Sequence, residues 1–178
     1  FISSICFLAD RISASGKKRE FFKELRKVFD FRNNLYEELD KKLESYLSSL
    51  QIKFPIDKIR KECYNEVIRK FNQTDTSTSR IFKISLPTGI GKTYIGAKIA
   101  LNIAKRYKIP IIYSLPFINI IEQIDAKFEE IFGGKNVGKL HHLVFLEDIE
   151  EKGENIYEII HFKFSPILLT TFSQIFDG

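Results

Sequence analysis

Leu86-Pro87-Thr88-Gly89-Ile90-Gly91-Lys92-Thr93 is the stretch whose reading decides the fold. Before it, Arg80-Ile81-Phe82-Lys83-Ile84-Ser85 alternates apolar and polar residues, the pattern of a β-strand. After it, Ile95, Ile99 and Ile103 recur at helical spacing among the small residues Gly96, Ala97, Ala100 and Ala104. Strand, glycine loop, then a helix opening at Lys-Thr is the setting of a phosphate-binding loop. Gly89 and Gly91 allow a tight turn whose successive N–H groups face one concavity. The helix adds its positive N-terminal end. Lys92 supplies a point charge for the β- and γ-phosphates, and the Thr93 hydroxyl a ligand for Mg²⁺. Pro87, Thr88 and Ile90 complete the candidate nucleotide-binding loop. The strict pattern has glycine where this chain has Leu86.

Working outward, the pattern predicts an α/β domain. Ile109-Pro110-Ile111-Ile112-Tyr113-Ser114-Leu115 is a nearly continuous apolar run, which predicts a strand buried on both faces and so a parallel sheet. A helix is expected from the following residues to Phe132, stopped by Gly133-Gly134. Pro166-Ile167-Leu168-Leu169-Thr170-Thr171 predicts another buried strand. Residues 133–164 give no clear element. His141-His142 lacks a third ligand at useful spacing, and the acidic run Glu147–Glu154 reads as exposed surface.

Upstream, residues 17–50 are expected to be helical. Phe21, Phe22, Leu25, Val28 and Phe29 form one stripe, and Leu35, Leu39, Leu43, Tyr46, Leu47 and Leu50 a second. Lys17-Lys18-Arg19 and Lys41-Lys42 read as solvated faces. Pro55 signals the start of a helix over residues 56–71, and a polar loop over 72–79 follows. Gln73 in that loop has two readings, a plain surface residue or a contact to an adenine edge. Residues 1–14 are apolar, with Ile2, Ile5, Leu8, Ala9 and Ile12 on one helical face. Asp10 on that segment reads from the residues alone as a surface or hydrogen-bonded carboxylate.

The chain has 178 residues, 44% hydrophobic and 29% charged, values of a globular protein. Its net charge of +5 permits a polyanionic partner without establishing one. Cys6 and Cys63 lie too far apart for a zinc motif or a disulfide framework, which fits a reducing cytoplasm. No apolar run reaches membrane-spanning length, so no membrane partner is expected. With no methionine at all, the chain reads as an internal piece of a longer protein.

Three segments carry a family resemblance: Leu86–Thr93, then Leu115-Pro116-Phe117-Ile118-Asn119-Ile120-Ile121-Glu122-Gln123, then Leu169-Thr170-Thr171-Phe172-Ser173-Gln174. They resemble three consecutive motifs of superfamily 2 helicases. The second is most similar to the CRISPR-associated helicase–nucleases of type I interference systems. Leu8-Ala9-Asp10-Arg11-Ile12-Ser13-Ala14-Ser15 resembles the last motif of that family's HD-type nuclease domain. The resemblance implies a truncated, RecA-like first motor domain over 55–178, a helical linker over 16–54, and the tail of a nuclease domain over 1–15. It implies an ATP-dependent translocase on single-stranded DNA that works with a CRISPR RNA-guided surveillance complex and feeds a nuclease using a divalent transition metal. Gly89, Gly91, Lys92 and Thr93 would hold ATP and Mg²⁺. Pro116, Phe117, Asn119, Thr170 and Thr171 would touch the DNA backbone, and Asp10 would bind the nuclease metal. The motor's Asp-Glu motif and second motor domain are absent from these residues, so this piece alone is expected to bind ATP without completing catalysis. The alternatives are another superfamily 2 DNA or RNA helicase, a restriction-system translocase, or a non-catalytic nucleotide-binding interaction module.

Overall fold

The computed structural model describes residues 18–78, 81–140 and 165–173. They divide into two compact units, one over 36–109 and the other over 1–35 with 110–178.

In the 36–109 unit the elements are helical. α1 runs Lys18–Ser49 and enters the unit at Tyr36. Tyr36, Leu39 and Leu43 recur at helical spacing and are fully buried. The stripe from Phe21 to Phe29 lies outside the residues whose side chains are described. α2 runs Pro55–Asn72, with proline at its first turn, where a missing N–H costs nothing. Asp57 accepts the N–H groups of Lys53 and Phe54 at 3.1 and 3.0 Å, satisfying donors at that helix start. α3 runs Lys92–Tyr107 and ends at Lys108, which adopts a left-handed conformation (φ 54°).

The strand expected over Arg80–Ser85 does not form among the described residues. Arg80 lies outside them, and residues 81–87 carry no strand ladder. The alternation nevertheless sorts the faces correctly. Phe82, Ile84 and Leu86 pack on Phe71, Ile95 and Ile99, while Ile81, Lys83 and Ser85 are exposed. Phe71 and Phe82 meet edge to face, centroids 5.3 Å apart. A period of two selects the buried face, but a strand also needs a neighbouring backbone to pair with.

A charged cluster ties α1 to α3. Lys98 reaches Asp40 and Glu44, each at 2.6 Å, and Lys105 also bonds Asp40. The Tyr64 hydroxyl on α2 donates to Glu44 at 2.9 Å. Burial pushes the Asp40 carboxyl up, but hydrogen bonds from Lys105 and Lys98 outweigh it and hold the group below its ordinary value. Burial pulls the Lys98 ammonium down, and its bonds to Asp40 and Glu44 win, raising it.

The other unit holds a three-stranded parallel sheet, β1 (Ile111–Leu115), β2 (Val137–Leu140) and β3 (Ile167–Thr171), in the order β1-β3-β2. Between β1 and β2 lie α4 (Ile118–Phe132) and a short 3₁₀ turn, Gly134–Asn136. Central β3 is buried at every residue. β1 departs from the expectation of burial on both faces: Ile112 is 49% exposed. Tyr113 packs on Phe128 of α4, and successive side chains alternate along a strand, so Ile112 points to the face opposite that helix. α4 buries Ile121, Ile124, Phe128, Ile131 and Phe132, an amphipathic stripe that packs on the sheet. The Phe128 ring meets Tyr113 of β1 at 5.4 Å. Asp125 on α4 pairs with Lys139 on β2 at 2.7 Å. Gly133 ends α4 with φ 84°, as the glycine pair predicts.

Candidate functional site

Each compact unit holds one candidate site of its own. The first is the glycine loop. Gly89 has φ +82° and Gly91 φ +94°, backbone conformations that side chains with a Cβ resist. A Cβ at Gly89 would meet nothing within 4 Å, so the space over the loop is open. Among the described residues, the N–H groups of Gly89, Ile90 and Gly91 have no acceptor. Gly91 is also the N-cap of α3. It offers no side chain to the helix's first donors, and the first turn carries no acidic residue. The positive end of α3 is thus left uncompensated beside the loop. These are the donors and the charge that a phosphate group requires.

Lys92 is exposed and turns back so that its Nζ donates to the Leu86 carbonyl at 2.9 Å. Thr93, next in α3, is half-buried and itself has a partner in the protein. Pro87, Thr88 and Gly89 are exposed, and Ile90 is buried beneath them. The contiguous loop residues named from the sequence are therefore gathered at one helix start. Gln73 lies at the end of α2, exposed, with its carbonyl oxygen accepting from Arg69 at 3.3 Å.

One contact to this loop was not legible in the sequence. Arg60 on α2 donates from Nε to the Gly89 carbonyl at 2.9 Å, across 29 residues of chain. Asp57, one helical turn earlier, holds the same guanidinium through Nη1 at 2.8 Å. The N–H groups of Phe54 and Lys53, with Arg60 itself, keep the Asp57 carboxyl below its ordinary value. In the sequence Arg60 is one cation among several on a charged helix, and no spacing rule marks it.

The second is the carboxyl end of the parallel sheet. The register places Ser114 beside Thr170 and Leu115 beside Thr171, so the residues after β1 and β3 emerge at one edge. Pro116, Phe117 and Asn119 are exposed there, Phe117 at 64%. Phe117 is the extended N-cap of α4, with no side-chain cap bond, and that helix too has no acid in its first turn. Thr170 and Thr171 are buried, Thr170 at 1%. The Thr171 hydroxyl lies 3.3 Å from that of Ser173. The Ser114 and Thr170 hydroxyls, paired by register, are buried and have no hydrogen-bond partner among the described residues.

Asp10, the His141-His142 pair, the acidic run Glu147–Glu154 and Gln174 lie outside the described residues. Among the described residues no three His, Cys, Asp or Glu side chains cluster as a metal site. No described helix is long and apolar enough to cross a membrane.

A parallel sheet with helices, following a glycine loop that opens a helix, defines an α/β domain of RecA-like type. The chain belongs to the family described as type III restriction enzyme, res subunit, whose model matches residues 53–176. It is also similar to the CRISPR-associated nuclease/helicase Cas3 of Haloferax volcanii, 30% identical over 177 aligned residues. That alignment takes in 80% of this chain and 19% of the relative, so the chain spans about a fifth of the length of the protein it matches. Both findings agree with the superfamily 2 helicase resemblance carried by the three motifs. No solved structure matches the chain.

Proposed function

We propose that the Pro87–Thr93 loop binds ATP with Mg²⁺ and that this chain is the first motor part of a DNA translocase coupled to a nuclease in CRISPR antiviral defence. One observation carries the reading: consecutive loop N–H groups without acceptors sit at an uncapped helix start beside Lys92. The donor set fits a triphosphate. Backbone N–H groups and Lys92 would hold the phosphate oxygens, and Thr93 would hold the Mg²⁺. The bound metal would neutralise charge developing on the phosphates.

Single-stranded DNA would lie along the sheet's carboxyl edge. Exposed Phe117 offers a face on which bases stack, Asn119 an amide for the backbone, and the start of α4 its positive end. Thr170 and Thr171 would support that edge from beneath. Residues 1–15 would be the tail of the nuclease domain, 16–54 a helical linker and 55–178 the motor. Asp10 would be one nuclease metal ligand, a role that rests on the motif resemblance alone. An RNA-guided surveillance complex would deliver the DNA, in the cytoplasm.

The experiment is DNA-stimulated ATP hydrolysis by the full-length protein. Lys92→Ala and Thr93→Ala should each abolish it. Asp10→Ala should spare it while removing metal-dependent cleavage of single-stranded DNA. Undiminished hydrolysis in both loop variants would overturn the motor reading.

A further inference from the structure

Arg60 lies outside every motif that marks this site, yet it is bonded to the glycine loop from a separate helix. We propose that Arg60 is a positioning residue for the nucleotide's phosphates, an inference that rests on the loop binding ATP. Its Nε takes the Gly89 carbonyl at 2.9 Å. The Gly89–Ile90 peptide is trans, so the carbonyl and the Ile90 N–H lie in one plane and point in opposite directions. Fixing the carbonyl therefore fixes the N–H. That N–H has no acceptor among the described residues. A loop N–H without a protein acceptor is available to one that a ligand supplies. Arg60 holds the Ile90 N–H in the orientation that a phosphate oxygen completes.

The flanking residues make this restraint necessary. Gly89 at φ +82° and Gly91 at φ +94° are both glycine, the least restricted residue type, and they stand on either side of Ile90. Without that bond the peptides between the two glycines are held less firmly, and ordering them would oppose nucleotide binding. Asp57 completes the device. Its carboxylate fixes the guanidinium at 2.8 Å and is itself fixed by two backbone N–H groups at the start of α2. The chain of restraint runs from the start of α2, through Asp57 and Arg60, to Gly89. The guanidinium also adds a positive charge beside the loop, favourable to any anion there.

The test uses full-length protein, with Lys92→Ala as the reference variant and ATP itself as the probe. Arg60→Ala should weaken Mg²⁺-ATP binding about tenfold, the usual effect of losing a hydrogen bond to a charged group. In hydrolysis assays the KM for ATP should rise by a similar factor while kcat stays within about twofold, because Arg60 contacts the loop and not the reacting atoms. The nucleotide-free melting temperature should stay near that of the unmodified protein. Arg60→Lys should lie between the two, since an ammonium keeps the charge but not the planar fork that bridges Asp57 and Gly89. If Lys92→Ala loses ATP binding while Arg60→Ala retains it in full, the positioning role is wrong and the nucleotide site stands. If Lys92→Ala retains ATP binding, the site itself is wrong. If both Arg60 variants lose affinity only in proportion to lost nucleotide-free stability, Arg60 is structural and the proposal fails.

Discussion

The Lys92 ammonium is hydrogen-bonded at 2.9 Å to the carbonyl of Leu86, the residue standing where the strict loop pattern has glycine. The loop's cation is thus folded onto the loop's own start. To reach a phosphate, Lys92 must exchange this neutral acceptor for a charged one. That exchange favours the nucleotide, since charge-assisted hydrogen bonds are the stronger kind. A side chain at position 86 does not obstruct the bond, because the acceptor is a backbone oxygen. The departure from the pattern therefore leaves the cation's anchor intact.

Gly89 gives the first prediction. Gly89→Ala puts a Cβ into open space but onto a backbone at φ +82°. The strain should cost about 1–2 kcal/mol, relieved either by loss of stability or by a changed loop. Mg²⁺-ATP affinity should fall, and the fall should exceed that of Thr88→Ala, whose position carries no such φ. Isothermal titration of the two variants decides it. Equal affinities would mean that the left-handed turn is not needed.

Asp40 gives the second. Asp40→Asn leaves Lys98 and Lys105 without their shared carboxylate. The loss, discounted for partial exposure of the group, should be about 2 kcal/mol, read as a lower urea midpoint. Its pH dependence has a definite sign. The folded Asp40 carboxyl is held below its ordinary 3.8, so its contribution is full above that value and lost as the pH falls through the lower folded one. Lys98 is raised above 10.5, so its contribution is full below 10.5 and lost as the pH climbs through the higher folded value. The gap between the unmodified protein and Asp40→Asn should be flat from about pH 5 to pH 9 and close in stronger acid. A gap that widens in acid would refute the ion-pair account.

Phe117 and Asn119 give the third. Phe117→Ala with Asn119→Ala in the full-length protein should weaken single-stranded DNA binding by roughly 1–3 kcal/mol, the usual worth of one stacked base. Basal ATP binding should be untouched. Binding should fall steeply with added salt and be indifferent to sequence, since backbone contacts carry it. Fluorescence anisotropy at two salt concentrations checks both points. Unchanged affinity would remove the sheet edge from the DNA path.

Local signals in the sequence located most elements. The apolar stripes of α3 and α4, the proline opening α2 and the glycines closing α4 each act within one helical turn, and each element lies where its residues place it. The parallel sheet follows from the apolar run Ile109–Leu115, and the buried strand β3 from Pro166–Thr171. β2 escaped notice because Val137-Gly138-Lys139-Leu140 is only four residues long and contains a glycine. The alternation of residues 81–87 was legible, but whether a strand forms depends on a pairing partner that no local pattern encodes. The same holds for the site. The loop was visible as a motif, whereas Arg60 on Gly89 and Lys98 on Asp40 are contacts across 29 and 58 residues, set by packing alone.

The most direct test of the central claim is the affinity of the full-length protein for Mg²⁺-ATP, measured by titration calorimetry with and without Lys92→Ala. The loop geometry requires measurable binding that the substitution abolishes or weakens by a few kcal/mol, with the circular dichroism spectrum unchanged. Equal affinity in the two proteins would show that the Pro87–Thr93 loop is not the nucleotide site.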